Sequence, residues 1–194
     1  SVKSRGLGDV YKRQAYKVAG TVGLLMCGVL NTDEQRAKAH AVDLGIGMQL
    51  TNIARDVVVD AKMGRRYLPG EWVNNMSPDE ILVAAKNPPS DNGLVITAAV
   101  KRLLALAEEY YASGRVGLSY LPARAHFSIG VAAKVYRQIG IQLLRSKTSW
   151  HGPKQVTSKA SKVVCTLKAT LNLYRRFPHP VSYTHLRAHE TSRN

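Results

Sequence analysis

The chain has 194 residues, 45% of them apolar, with 28 Lys and Arg against 13 Asp and Glu for a formal charge of +15. That length and composition suit one packed domain, or a large part of one, and exclude a disordered chain. The longest apolar stretch, Val18 to Leu30, contains glycines and falls short of the roughly 20 residues that span a bilayer. No charged-then-apolar signal opens the chain. Its two cysteines, Cys27 and Cys165, are too few for a disulfide framework or a cysteine zinc site, so a reducing, cytoplasmic setting is expected.

Residues 1–14 (SVKSRGLGDVYKRQ) and 181–194 (VSYTHLRAHETSRN) lack helical or strand periodicity and resemble translated sequencing-adapter read-through. They are expected to be non-native tails, which leaves residues 15–180 for the fold. Without the tails' six bases and two acids, 22 bases and 11 acids remain, a balance of +11. All eleven acids lie at or before Glu109, whereas residues 110–180 carry twelve bases and no acid. Such a stretch suits a basic helical module gripping nucleic acid or an anionic membrane surface. No nucleic-acid motif accompanies it, so peripheral membrane association is favoured and no nucleic-acid partner is expected.

The chain reads as helical almost throughout, because alternating β-branched runs are few and stretches of Ala, Leu, Lys and Gln are long. Residues 16–30 form an apolar helix whose Ala19, Gly20, Gly23 and Gly28 suggest close approach by a neighbour or a ligand. Asn31-Thr32-Asp33 offers an N-cap for a long helix reaching about Met63, where Gly64 stands at C′ and Pro69-Gly70 opens a loop. Ser77, Pro78 and Glu80 spell a capping box opening a helix to Lys86. After the loop 87–93, helices are expected over 94–113, 122–147 and 158–177, with Trp150 to Pro153 separating the last two. The widely spaced His40, His126, His151 and His179 form no ligand cluster, and Cys27 and Cys165 read as small core hydrophobes. One all-α unit results.

The chemistry concentrates between Gln49 and Asp60. At about 100° per residue, Gln49, Asn52, Asp56 and Asp60 fall near 0°, −60°, −20° and +20°, a narrow oxygen-bearing stripe. Leu50, Ile53, Val57 and Val58 flank it and belong in a core. Two carboxylates a turn apart, with amides before them, suit a hard cation such as Mg²⁺. Arg55 beside the stripe, with Arg65 and Arg66 beyond the helix end, suits the phosphates such a cation accompanies. The plain alternative is a solvated face on which Asp56 and Asp60 pair with Arg55 and Lys62.

The run LGIGMQLTNIARDVVVDAKMGRRYLP (44–69) closely resembles the second aspartate-rich region of the squalene/phytoene synthase family. Tyr16 to Gly23 (YKVAGTVG) resembles the family's YxVAGxVG segment, and Leu118 to Pro122 and Lys134 to Gly140 resemble its C-terminal helices. The wording is nearest the bacterial phytoene-forming members. The resemblance implies a helical bundle of the isoprenoid-synthase type around a central apolar tunnel. It further implies that Asn52, Asp56 and Asp60 hold Mg²⁺, or Mn²⁺ in its place, against a diphosphate. Gln49 would line the site, while Arg55 and Arg65 would hold diphosphate oxygens. Val18, Ala19, Gly20, Val22 and Gly23 would line the tunnel, although on residues alone their pattern is plain helix packing. Tyr136 would lie near the diphosphate, or simply in the core, and Lys154 stands where relatives carry an arginine.

The implied reaction joins two geranylgeranyl diphosphates head to head, giving phytoene by way of a cyclopropyl diphosphate. The alternative is squalene or dehydrosqualene synthesis from farnesyl diphosphate. The family also uses a first aspartate-rich motif on an earlier helix, which no residue before Tyr16 supplies, and Gln14 stands where a site tyrosine is common. The chain is therefore expected to be the C-terminal portion of a prenyl-synthase domain, inactive by itself.

Overall fold

The computed structural model describes residues 21–30, 35–145, 149–152 and 158–176. The described residues form six α-helices and no strand: α1 (Thr21–Val29), α2 (Gln35–Lys62), α3 (Pro78–Lys86), α4 (Asp91–Gly117), α5 (Ala123–Arg145) and α6 (Lys159–Arg176). Short 3₁₀ turns at Gly70–Trp72, Leu118–Tyr120 and Ser149–His151 link them. The all-α expectation holds. The Asn31 to Asp33 cap and the two tails lie outside the described residues.

The long helices α2 and α4 are the spine. They pair His40 with Gly117, Leu44 with Gly114, and Gly47 with Tyr110 and Tyr111, an antiparallel register. A Cβ on Gly114 would stand 2.8 Å from the Leu44 Cβ, and one on Gly117 would strike His40, so only hydrogen fits there. Leu50, Ala54, Val57 and Ala61 on α2, with Val100, Leu103, Leu104 and Ala107 on α4, are buried in the resulting core. Two polar ties cross the same interface: buried Thr51 Oγ1 meets Tyr111 Oη at 3.0 Å, and Ser113 donates to Asp43 while lying 2.9 Å from His40 Nδ1. Trp150, fully buried, donates from Nε1 to Thr97 Oγ1 at 2.9 Å and pins the turn between α5 and α6.

Two expectations shift. α4 starts at Asp91, not 94, because the Ser90 hydroxyl accepts from Gly93 N and turns the end of the loop into a capped helix start. It also runs on to Gly117, since Leu44 and His40 packing outweighs the helix cost of its glycines. Gly23 marks close approach as read, since a Cβ there would stand 2.6 Å from the Ala41 carbonyl oxygen, but a Cβ on Gly28 would meet open space. Cys27 and Cys165 are buried free thiols, as expected.

The capping box of α3 forms in full: Glu80 N donates to Ser77 Oγ, and Ser77 N donates to Glu80 Oε2. Ser77→Ala should lower stability by about 1 kcal/mol, seen as an earlier denaturant midpoint; an unchanged midpoint would refute it. The Ser77 bonds hold the Glu80 carboxyl below its ordinary value of 4.5. Its capping contribution is therefore full above that value and fades as pH falls through the lower folded one.

Candidate active site

The stripe read from the sequence sits on α2, and its termination is local. Gly64, at φ +69°, takes the left-handed conformation that a Cβ would disfavour. Gly64 N then donates to the Ala61 carbonyl at 3.0 Å and Arg65 N to the Asp60 carbonyl at 2.9 Å, a Schellman motif. The turn sets Arg65 and Arg66 beside Asp60, and all three line one small recess. Arg66 is committed to structure: its Nη1 donates to the Met76 carbonyl at 2.6 Å, strapping down the loop before α3. Arg65 remains exposed.

Gln49, Asn52, Asp56 and Asp60 are all half-buried. Asn52 Oδ1 is buried and has no hydrogen-bond partner among the described residues. Arg55 Nε and Nη2 donate to Asp56 Oδ1 and Oδ2 at 2.9 and 2.5 Å, a bidentate pair with both side chains 17% exposed. That pair raises the Arg55 pKa above its ordinary value, opposed by burial and helped by Tyr136 and Asp60 nearby. Half-buried Tyr136 packs against the core at this edge. The structure thus gathers Asn52, Arg55, Asp56, Asp60, Arg65 and Tyr136 around the C-terminal half of α2. No group of three or more His, Cys, Asp or Glu side chains poised for a metal occurs among the described residues. The donors here are two carboxylates and one amide. An all-oxygen set that includes an orphaned buried amide oxygen fits a hard divalent cation that draws its other ligands from water or substrate.

An apolar cavity of about 190 Å³ lies at the other end of α2. Val22 and Gly23 of α1, Ala41 and Gly45 of α2, Leu118, and Ile129 of α5 are among its walls. Gly45, Asn52 and Asp56 fall within about 40° of one another around α2. One helix face therefore runs from cavity wall to carboxylate stripe. Val22 is 59% exposed and Gly23 is buried against α2. Val18, Ala19, Gly20 and Lys154 lie outside the described residues.

Sequence reading missed the His40, Ser113 and Asp43 network and the Thr51–Tyr111 bond. Only the polar residues inside otherwise apolar helix faces signalled them. His126 is structural, its Nδ1 donating to the Leu118 carbonyl at 2.6 Å.

Among the described residues, an acidic, amide-bearing stripe thus continues from the wall of an apolar cavity along one helix. The family profile of squalene/phytoene synthases matches residues 9–162, and the chain belongs to that family. It is 41% identical over 159 residues to the 15-cis-phytoene synthase of Paracoccus sp., covering 82% of this chain and 50% of that protein. It is 39% identical over 157 residues to the phytoene synthase of Pseudescherichia vulneris (81% and 50%) and 35% over 176 residues to the 15-cis-phytoene synthase of Pantoea ananas (90% and 56%). The chain spans about half the length of these relatives.

Proposed function

We propose that the whole protein is a Mg²⁺-dependent prenyltransferase condensing two geranylgeranyl diphosphates head to head into phytoene, and that this chain alone is inactive. The observation that carries this reading is the single face of α2. Over about 16 Å from Gly45 to Asp56 it passes from apolar wall to oxygen ligands, the polarity of a prenyl diphosphate. Asn52, Asp56 and Asp60 would hold the metal, which when bound supplies positive charge to a departing diphosphate. Arg65, exposed beside Asp60, binds diphosphate oxygens. Arg55 exchanges its Asp56 partner for the same anion, which frees that carboxylate. Ala41, Gly45 and Ile129 keep water from the allylic cation while it alkylates the second double bond.

The same reading places the enzyme in the cytoplasm against an anionic membrane surface. Val163, Val164, Leu167 and Leu171 form an exposed stripe on α6, opposite buried Cys165 and Ala169, with Lys159 and Lys168 along its edges. No described helix is long and apolar enough to cross a membrane. A helix of this kind lies in an anionic interface.

The test is a chimera joining the N-terminal half of the Paracoccus relative to residues 15–180, assayed with Mg²⁺ and either geranylgeranyl or farnesyl diphosphate, beside the chain alone. Phytoene from the chimera and none from the chain is expected. A C30 product alone would favour the farnesyl-using alternative, and product from the isolated chain would overturn its inactivity.

A further inference from the structure

A second cavity, of about 320 Å³, opens between α4 and α5. Its chemistry is opposite to that of the apolar one. Tyr111 and Arg115 line it from α4, and Gly130, Ala133, Lys134 and Arg137 from α5. Three cations from two helices thus share one recess, in a stretch of chain that contains no acid from residue 110 to 180. Arg137 Nε donates to the Glu108 carboxylate at 2.7 Å, at the exposed rim. Among the described residues, no carboxylate pairs with Arg115 or Lys134.

Small side chains make the space. Gly130 and Ala133 line it without filling it, and a Cβ on Gly130 would meet only Leu118, at 3.5 Å. Tyr111 Oη is occupied by Thr51, so its ring serves as a wall. Burial, reinforced chiefly by Arg115 and also by Lys168 and Arg137, pushes the Lys134 ammonium below its ordinary pKa, the mark of a positive charge with too little compensation. The recess is distinct from the metal-site stripe: Thr51, which ties Tyr111 to α2, stands about 140° around that helix from Asp56 and 180° from Asp60.

We propose that this recess binds a phosphate anion, held by the Arg115 guanidinium, the Lys134 ammonium and the Arg137 N–H groups not spent on Glu108. Guanidinium forks match phosphate oxygens bidentately, and a charge-dense anion relieves the mutual repulsion of the three cations. The anion is either free, as inorganic diphosphate, or the phosphate of a lipid headgroup. The site needs neither Mg²⁺ nor the Asp56–Asp60 stripe.

The test titrates the purified 194-residue chain with sodium diphosphate in EDTA at fixed ionic strength, by calorimetry and thermal unfolding. Chloride and vesicles of neutral lipid with or without phosphatidic acid run beside it. Saturable diphosphate binding is expected, weakened at least tenfold by Lys134→Met and by Arg115→Gln but not by Lys86→Gln at the exposed end of α3. Arg115 is itself exposed, so Arg115→Gln keeps the test interpretable if Lys134→Met fails to fold. Loss of phosphatidic acid vesicle binding in the same two variants, without soluble diphosphate binding, would assign the recess to a headgroup. Binding that neither variant moves, or a response matched by chloride, would overturn the proposal.

Discussion

Asp60→Asn in the chimeric enzyme should cut phytoene formation by about 10²-fold or more while leaving the melting temperature nearly unchanged. The magnitude is that of removing one preorganised charge-stabilising group from a site where negative charge departs. Asp60 is the cleaner of the two carboxylates to test, because the bidentate partner of Arg55 is Asp56. Asp56→Asn should lose as much activity, and in addition destabilise the fold by up to about 1 kcal/mol as the half-buried Arg55 pair is weakened. Turnover and calorimetric unfolding of the same preparations separate the effects. Near-normal turnover by either variant at ordinary Mg²⁺ would mean that the stripe is a solvated face that pairs with neighbouring cations.

The largest loss of stability should come from closing the seam between α2 and α4. Gly114→Ala places a methyl 2.8 Å from Leu44 Cβ and 3.0 Å from Leu44 Cα, and the Gly117 equivalent strikes His40. Overpacking of this kind costs about 1–3 kcal/mol per site, against the roughly 0.5–1 kcal/mol that Gly→Ala returns in helix propensity. The double variant should therefore lose up to about 5 kcal/mol of the ~5–15 kcal/mol margin of a typical domain. Adding Leu44→Ala to Gly114→Ala should recover only part of the loss, because the clash with the backbone of residue 44 survives the shortening of its side chain. Denaturant midpoints for these chains and the parent measure it, and a stabilised Gly114→Ala would show that the helices can move apart freely.

What could be read in advance was what the chain specifies locally. Gly64 as the helix stop, the Ser77 box and the angular grouping of Asn52, Asp56 and Asp60 each depend on residues within a turn or two of one another. The boundaries of α4 were misplaced because Asp91-Asn92-Gly93 looks like a turn unless the Ser90 hydroxyl is credited as its cap. Its extension to Gly117 depends on Leu44 and His40, some 70 residues away in sequence. The basic recess lay between these cases. The acid-free stretch was visible as a run of letters, but bringing Arg115 beside Lys134 and Arg137 requires α4 and α5 to diverge from their shared turn.

The Schellman turn at Gly64 has a consequence for how such a site can diversify. Asp60, a cation ligand in the proposed site, and Arg65, an anion ligand, are joined by a hydrogen bond from the backbone of one to the backbone of the other. Their separation is therefore a property of a six-residue cassette and is insensitive to how far the surrounding helices stand apart. The apolar cavity is built differently, from side chains of α1, α2 and α5 that meet only in the assembled bundle. If the proposed function holds, substitutions at Ala41, Gly45 or Ile129 lengthen or shorten the accepted chain without disturbing the head that carries the charge. In the proposed enzyme, head chemistry and tail length are then separately adjustable.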